Sequence, residues 1–179
     1  PQNPKPPLFY QLVFSVEGLI NEYIEKAQIL KLGKIEWVDS LTEIEEIRFP
    51  DPFGKLEAFY TSGGTSTLPL TLNGKVQNID YKTIRYKGHC EKFKFLTDLG
   101  LLSSKVVKVN GEKIVPRKLT AKLLTDFLSG NDKDVVLARV TLLGEKDGKR
   151  VELVYQMIDY YDEKNNITAM QRTTAYSVS

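Results

Sequence analysis

The run from Leu56 to Leu102, LEAFYTSGGTSTLPLTLNGKVQNIDYKTIRYKGHCEKFKFLTDLGLL, changes its hydrophobic period in mid-course, and this constrains the fold more than any other feature of the chain. Leu56 to Tyr60 and Asn78 to Tyr86 read as strands, and glycines 63, 64 and 88 close off the first and the last of these. After Gly88 the period switches. Cys90, Phe93, Leu96 and Leu99 recur every three residues and Gly100 follows, which predicts an amphipathic helix stopped by glycine.

The flanks extend the same mixture. Pro1, Pro4, Pro6 and Pro7 make residues 1–7 an extended lead-in or linker, and Leu8 to Ser15 is apolar and aromatic enough for a strand. Val16, Leu19, Ile20, Tyr23, Ile24 and Ala27 then recur at helical spacing. Beyond Gly33, KIEWVD and EIEEIRF read as short extended pieces leading to a turn at Pro50-Asp51-Pro52-Phe53-Gly54. Leu119, Leu123, Leu124, Phe127 and Leu128 describe a helix over Lys118 to Ser129, ended by Gly130. In the last third, Val136, Ala138, Val140 and Leu142 share one face by alternation. Val151, Leu153, Tyr155 and Met157 do so beyond Asp147-Gly148, a pair that accepts the positive φ of a hairpin turn. Trp37 and the tyrosines at 155, 160 and 161 read as sheet packing. Residues 8–179 are thus expected to form a single α+β domain, with a mixed, mainly antiparallel sheet and helices on one face.

Charge and inventory exclude several functions. Twenty-five basic against twenty-three acidic side chains give +2 with no long like-charge block, so no nucleic-acid footprint is expected. The single cysteine cannot form an intramolecular disulfide, and no uninterrupted apolar stretch reaches the roughly 18 residues of a membrane span. A cytoplasmic protein with no membrane partner is the expectation. Cys90 and His89 are too few for a zinc site, so no metal is expected, and as sequence neighbours at a helix start they make a poor nucleophile–base pair.

Several segments carry groups that could meet a small polar ligand. The Thr61-Ser62-Gly63-Gly64-Thr65-Ser66-Thr67 loop is dense in hydroxyls, and Gly63-Gly64 lets backbone approach a ligand; a Gly-Gly connection with capping hydroxyls is the plainer alternative. Arg85 and Arg172 each offer a planar fork suited to a carboxylate, against the alternative of a surface ion pair. His89 suits a ligand or acid–base role, or a structural one beside the turn. Nowhere does a strand lead through Gly-x-Gly-x-x-Gly or Gly-x-x-x-x-Gly-Lys into a helix, so this chain alone is not expected to hold a dinucleotide.

The Thr61 to Thr67 loop, the Tyr81-Lys82-Thr83-Ile84-Arg85-Tyr86-Lys87-Gly88-His89 segment and Met170-Gln171-Arg172-Thr173-Thr174-Ala175-Tyr176 resemble the C-terminal domain of the saccharopine dehydrogenase and lysine 6-dehydrogenase family. Pro7-Leu8-Phe9-Tyr10 through Glu22-Tyr23 resembles the start of that domain, whereas Lys87 stands where the family commonly has a proline. The resemblance implies an open-faced sheet of the glyceraldehyde-phosphate dehydrogenase C-terminal type and a substrate-binding, dimerising role in an NAD(P)-dependent oxidoreductase acting on a CH–NH bond. It implies that the amino-acid substrate, lysine, saccharopine or a related amine, lies against Thr61, Ser62, Gly63, Gly64, Arg85, His89, Arg172 and Thr173. NAD or NADP would be held by a Rossmann domain of the same parent chain, which would also supply any general base. A homodimer is the implied assembly. The rival reading is a non-catalytic ligand-binding or dimerisation domain that kept the fold.

Overall fold

Helix α1 (Val16–Ile24) begins where Ser15 Oγ accepts the Gly18 amide at 3.4 Å, and Glu17 in the first turn complements the helix dipole. The computed structural model describes residues 10–130 and 133–175, so the lead-in expected over 1–7, and Tyr176, lie outside the described residues. The chain divides into two compact units, Pro1–Gly130 and Asn131–Ser179.

The first unit is built on three antiparallel ribbons. Strands β1 (Ala27–Lys31) and β2 (Lys34–Val38) form a hairpin around Leu32-Gly33, where both residues take positive φ. Strand β4 (Gly54–Tyr60) lies between β3 (Glu45–Phe49) and β5 (Lys82–Tyr86), with the short helix α2 (Leu68–Thr71) in the connection from β4 to β5. Helix α3 (His89–Asp98) follows β5 directly. A short pair, β6 (Val107–Val109) and β7 (Glu112–Ile114), leads into α4 (Pro116–Leu128). The core gathers Leu19, Ile20 and Tyr23 of α1, Phe59 of β4, Cys90 and Phe93 of α3, and Ala121, Leu124 and Leu128 of α4. As the middle strand, β4 is covered from both sides, so Leu56, Glu57, Ala58, Phe59 and Tyr60 are all buried.

The second unit consists of the long hairpin β8 (Val135–Lys146) and β9 (Lys149–Tyr160), followed by helix α5 (Ala169–Ala175). Its turn is Asp147-Gly148, with φ of 55° and 73°, as the sequence predicts. Asp134 anchors α5 by accepting the amides of Ala169 and Met170 at 2.7 and 2.8 Å. Arg172 is gripped by Asp159 and Asp162, and it donates to the Tyr160 carbonyl at 2.9 Å.

The α+β class and the antiparallel pairing agree with the sequence; parallel pairing among the described residues is confined to the isolated bridge Asn73–Val76. Several boundaries differ. Residues 10–15 form no strand: Tyr10, Leu12 and Phe14 pack on the core, but the backbone there bonds to the end of α4, Leu12 donating to the Leu128 carbonyl at 3.0 Å. The first helix stops at Ile24, and Ala27, which continues its apolar spacing, instead opens β1. The third expected strand begins at Lys82 rather than Asn78, although Ile79 makes an isolated bridge to Leu30. Helix α4 starts at Pro116, a residue compatible with a first turn because it needs no amide partner. Its buried face is Thr120, Ala121, Leu124 and Leu128, while Leu119, Leu123 and Phe127 are exposed. Trp37 and Tyr155, expected as sheet packing, are each 61% exposed. No helix among the described residues is long and apolar enough to cross a membrane.

Candidate functional site

A carboxylate on the central strand fixes the local geometry. Glu57 of β4 is buried, and its two oxygens accept the amides of Gly88 at 2.8 Å and Cys90 at 2.7 Å, so it caps α3 from a neighbouring strand. Gly88 stands in the left-handed region, φ 89°, which turns the chain from β5 into α3. His89 thereby enters the interior, 1% exposed, where its Nε2 shares a 2.9 Å hydrogen bond with Tyr23 Oη. The histidine ring stacks on Phe93 at 4.8 Å and meets the edge of Tyr10 at 5.3 Å.

Arg85 completes this cluster. It faces Glu57 in the β4–β5 register, but its half-buried guanidinium donates to Tyr23 Oη at 3.3 Å and to the Ile84 carbonyl at 2.9 Å. It also lies over the Tyr10 ring, 5.0 Å from the centroid. Among the described residues no carboxylate forms an ion pair with it. Burial works against its charge, and the phenols of Tyr23 and Tyr10 more than offset that, so its pKa is raised. Burial also raises the phenols of Tyr10 and Tyr23, against the opposing effect of Arg85. These phenols therefore stay neutral donors and acceptors around the cation.

Beside the cluster is a cleft of about 290 Å³ lined by Gly18, Asn21 and Glu22 of α1, residues Thr61 to Gly64, and Tyr81. The loop is tied to the last turn of α1: the Ser62 amide donates to the Glu22 carbonyl at 2.9 Å, and Ser62 Oγ to the Asn21 carbonyl at 3.3 Å. Gly64 is required by packing, since a Cβ there would stand 1.9 Å from Tyr81 Cδ1; Gly63, at φ 82°, faces open space. Burial raises the carboxyl of Glu22 and Arg85 lowers it, with burial the larger influence. No ion pair joins Glu22 to Arg85.

Of the residues expected at the site, Thr61, Ser62, Gly63 and Gly64 line this cleft, and Arg85 and His89 belong to the adjoining cluster. Several hydroxyls serve the scaffold: Thr61 Oγ1 and Thr83 Oγ1 share a 2.7 Å bond, and Thr65 Oγ1 donates to the Gln28 carbonyl at 2.7 Å. Arg172 and Thr173 belong to the second unit, where Thr173 Oγ1 donates to the Ala169 carbonyl at 2.9 Å. Sequence reasoning missed Tyr10, Glu22, Tyr23, Glu57 and Tyr81 as site components. A usable signal existed for Glu57, the one charged residue in the apolar run Leu56 to Tyr60. Among the described residues no three His, Cys, Asp or Glu side chains gather as a metal ion would need.

The sequence model of the saccharopine dehydrogenase C-terminal domain family matches residues 1–179. Among solved structures, apo histidine-tagged saccharopine dehydrogenase (L-Glu forming) from Saccharomyces cerevisiae superposes with a TM-score of 0.74 at 20% identity. The match covers 99% of this chain and 54% of that one, so the chain spans about half the length of the yeast protein and shares its fold over that half. The match of that family model over the whole of residues 1–179 places this chain in the saccharopine dehydrogenase C-terminal domain family.

Proposed function

We propose that the chain is the substrate-binding part of an NAD(P)-dependent oxidoreductase acting on the CH–NH bond of an amino acid, saccharopine or lysine in the first instance. The observation that carries this reading is Arg85: a half-buried guanidinium oriented by Tyr23 and Ile84, free of any carboxylate ion pair among the described residues, beside a polar cleft. A cation held this way is preorganised for an incoming carboxylate, because its orientation is fixed before the ligand arrives. Arg85 therefore binds the substrate carboxylate, with the Thr61 to Gly64 loop as the wall against which the rest of the molecule lies. His89 acts through Tyr23, which it holds from behind. Arg172 already has Asp159 and Asp162 as partners, which favours a structural role for it.

The nicotinamide cofactor supplies the hydride acceptor when bound, and the described residues of this chain do not fit it. The described strand–glycine–helix junction, β5 through Gly88 into α3, has its first amides taken by the Glu57 carboxylate, where a pyrophosphate would meet like charge. That supports a Rossmann domain elsewhere in the parent enzyme as the cofactor site. One buried thiol with no partner cysteine supports a reducing, cytoplasmic setting.

The test is steady-state kinetics of the complete parent enzyme with NAD or NADP and L-lysine or L-saccharopine. Arg85→Ala is expected to lower kcat/KM for the accepted substrate by about tenfold to a hundredfold, the cost of one charge-assisted carboxylate bond. Failure of the unsubstituted enzyme to reduce either cofactor with either amine, or unchanged kinetics in the variant, overturns the reading.

A further inference from the structure

We infer that Asn21 is a ligand-contacting donor of the cleft: with the amides of Gly63 and Gly64 it forms a site for a carbonyl-type oxygen, such as a carboxylate or carboxamide carries. The inference rests on the cleft being the substrate-binding side and makes no use of Arg85.

The orientation of the Asn21 side chain follows from its neighbour on α4. Arg117 Nη2 lies 2.7 Å from Asn21 Oδ1, while the same guanidinium donates from Nε to Glu17 Oε2 at 2.7 Å and from Nη2 to the Glu17 carbonyl at 3.2 Å. A guanidinium only donates, so the oxygen of the Asn21 amide must be the atom that faces it. Nδ2, with both its hydrogens, is thereby turned away from Arg117. Among the described residues Nδ2 has no hydrogen bond, and it is not one of the side-chain atoms sealed from solvent. The Asn21 carbonyl is already engaged, accepting from Ser62 Oγ at 3.3 Å and from the Glu25 amide at 3.0 Å. What Asn21 has left to offer the cleft it lines is a donor.

The Gly-Gly loop adds two more. Ser62, by bonding the Asn21 and Glu22 carbonyls, brings Gly63 and Gly64 to the same cleft, and among the described residues neither glycine's amide donates to any group. The neighbouring hydroxyls are spent on the scaffold, Thr61 Oγ1 on Thr83 and Ser62 Oγ on Asn21. Unengaged N–H groups of a side chain and of backbone, lining one cleft, suit an oxygen with more than one lone pair to share. Glu22 limits the charge that oxygen can carry. A carboxylate lining the same cleft opposes a phosphate dianion more strongly than a single carboxylate, and a neutral carboxamide least. The volume of about 290 Å³ is at the lower end of ordinary ligand clefts, roughly 300 Å³, and suits such a group with a short chain behind it.

The side-chain amide of Asn21 is itself the reporter, followed by nitrogen–proton correlation NMR of the 179-residue chain during titration with butyrate, butyramide, butylamine or inorganic phosphate. Butyrate and butyramide are expected to move the Asn21 Nδ2 proton signals saturably, and butylamine and phosphate to leave them in place. Asn21→Asp keeps an oxygen for Arg117 but puts an acceptor where the donor was. It is expected to weaken both ligands at least about tenfold with the thermal midpoint unchanged, and the uncharged Asn21→Ala to weaken them about fivefold. Ligand binding that leaves the Asn21 signals unmoved overturns the inference. So does a loss confined to butyrate in Asn21→Asp, with Asn21→Ala at full affinity, because charge repulsion alone then accounts for it. Phosphate or butylamine acting on these signals as butyrate does overturns the assigned chemistry. Butyrate binding that Arg85→Ala abolishes and the Asn21 variants leave intact overturns the Asn21 site and supports the proposed function; dependence on Asn21 alone supports the site and counts against Arg85. No binding of butyrate or butyramide overturns the site, while the kinetics of Arg85→Ala still decide the proposed function.

Discussion

Strand β4 and the hairpin β8–β9 have similar apolar content and opposite fates. In β4, five consecutive residues from Leu56 to Tyr60 are buried, Glu57 among them. In the hairpin, register places Ala138 opposite Met157, Val140 opposite Tyr155 and Leu142 opposite Leu153 on one face, and every member of these pairs except Ala138 is at least 40% exposed. The other face is more polar, with Arg139 donating to Gln156 and Leu143 opposite Glu152. An alternating pattern thus fixes that a segment is extended and which residues share a face. Whether a face is covered depends on what lies above it. β4 has α1, α3 and α4 in the same unit to supply the core around Phe59, whereas the described residues of the hairpin's own unit offer a single short helix.

The largest expected effect breaks the comparison at its buried end. Phe59→Ala should cost about 3–5 kcal/mol of stability, as emptying a fully enclosed aromatic site does. Leu153→Ala, at the exposed end, should change the stability of the monomer by less than about 0.5 kcal/mol. Denaturant titration of both variants at low protein concentration checks the contrast, and similar losses would mean that the hairpin is covered within the chain itself.

The second prediction asks what does cover the Ala138–Leu153 face. A symmetric homodimer closing on it is expected, since contiguous apolar patches of this kind mark association surfaces. Tyr155→Glu places a charge in the middle of the patch. It should reduce the mass measured by light scattering at micromolar concentration from two chains to one; a monomer mass for the unsubstituted chain would defeat the dimer outright.

The smallest effect uses Cys90 as a reporter of the enclosed end. Burial first, and then the Glu57 charge, push its thiol up to about 12, so the folded protein holds it neutral and out of reach. It should resist iodoacetamide at pH 8 until denaturant is added. Because the folded pKa exceeds the unfolded value near 9, this contribution to stability is complete below pH 9 and is lost as pH rises from there towards 12. Rapid alkylation under native conditions would show that the core opens as readily as the hairpin is exposed.

The same contrast explains how much could be read from the residues. Segments whose pattern is local came through: the Cys90–Phe93 face of α3 and its Gly100 stop, the Asp147-Gly148 turn, and the α1 face of Leu19, Ile20 and Tyr23. Helix α4 shows the limit. Its apolar residues span an arc wider than the core covers, so Leu124 and Leu128 are buried while Leu119, Leu123 and Phe127 are not, and no periodicity distinguishes the two sets. The Gly63-Gly64 wall and Arg85 were visible as residue types suited to a ligand. The place of Glu22 on the cleft wall was not, because it depends on Ser62 bonding the end of α1, a contact between residues 40 positions apart. Nor could sequence distinguish Arg85 from Arg172, since only folding reveals which of them is already paired.

The cap on α3 has a consequence for timing. Most helices bring their own N-terminal acceptor, so their first turn frays independently of its surroundings. Here the acceptor is Glu57, in the middle of the three-stranded sheet, and the amides it holds belong to Gly88 and Cys90. Those two hydrogens can exchange with solvent only when strand and helix part. Their exchange clock is therefore that of the whole sheet, and the histidine between them is kept in place for as long as the sheet stays closed.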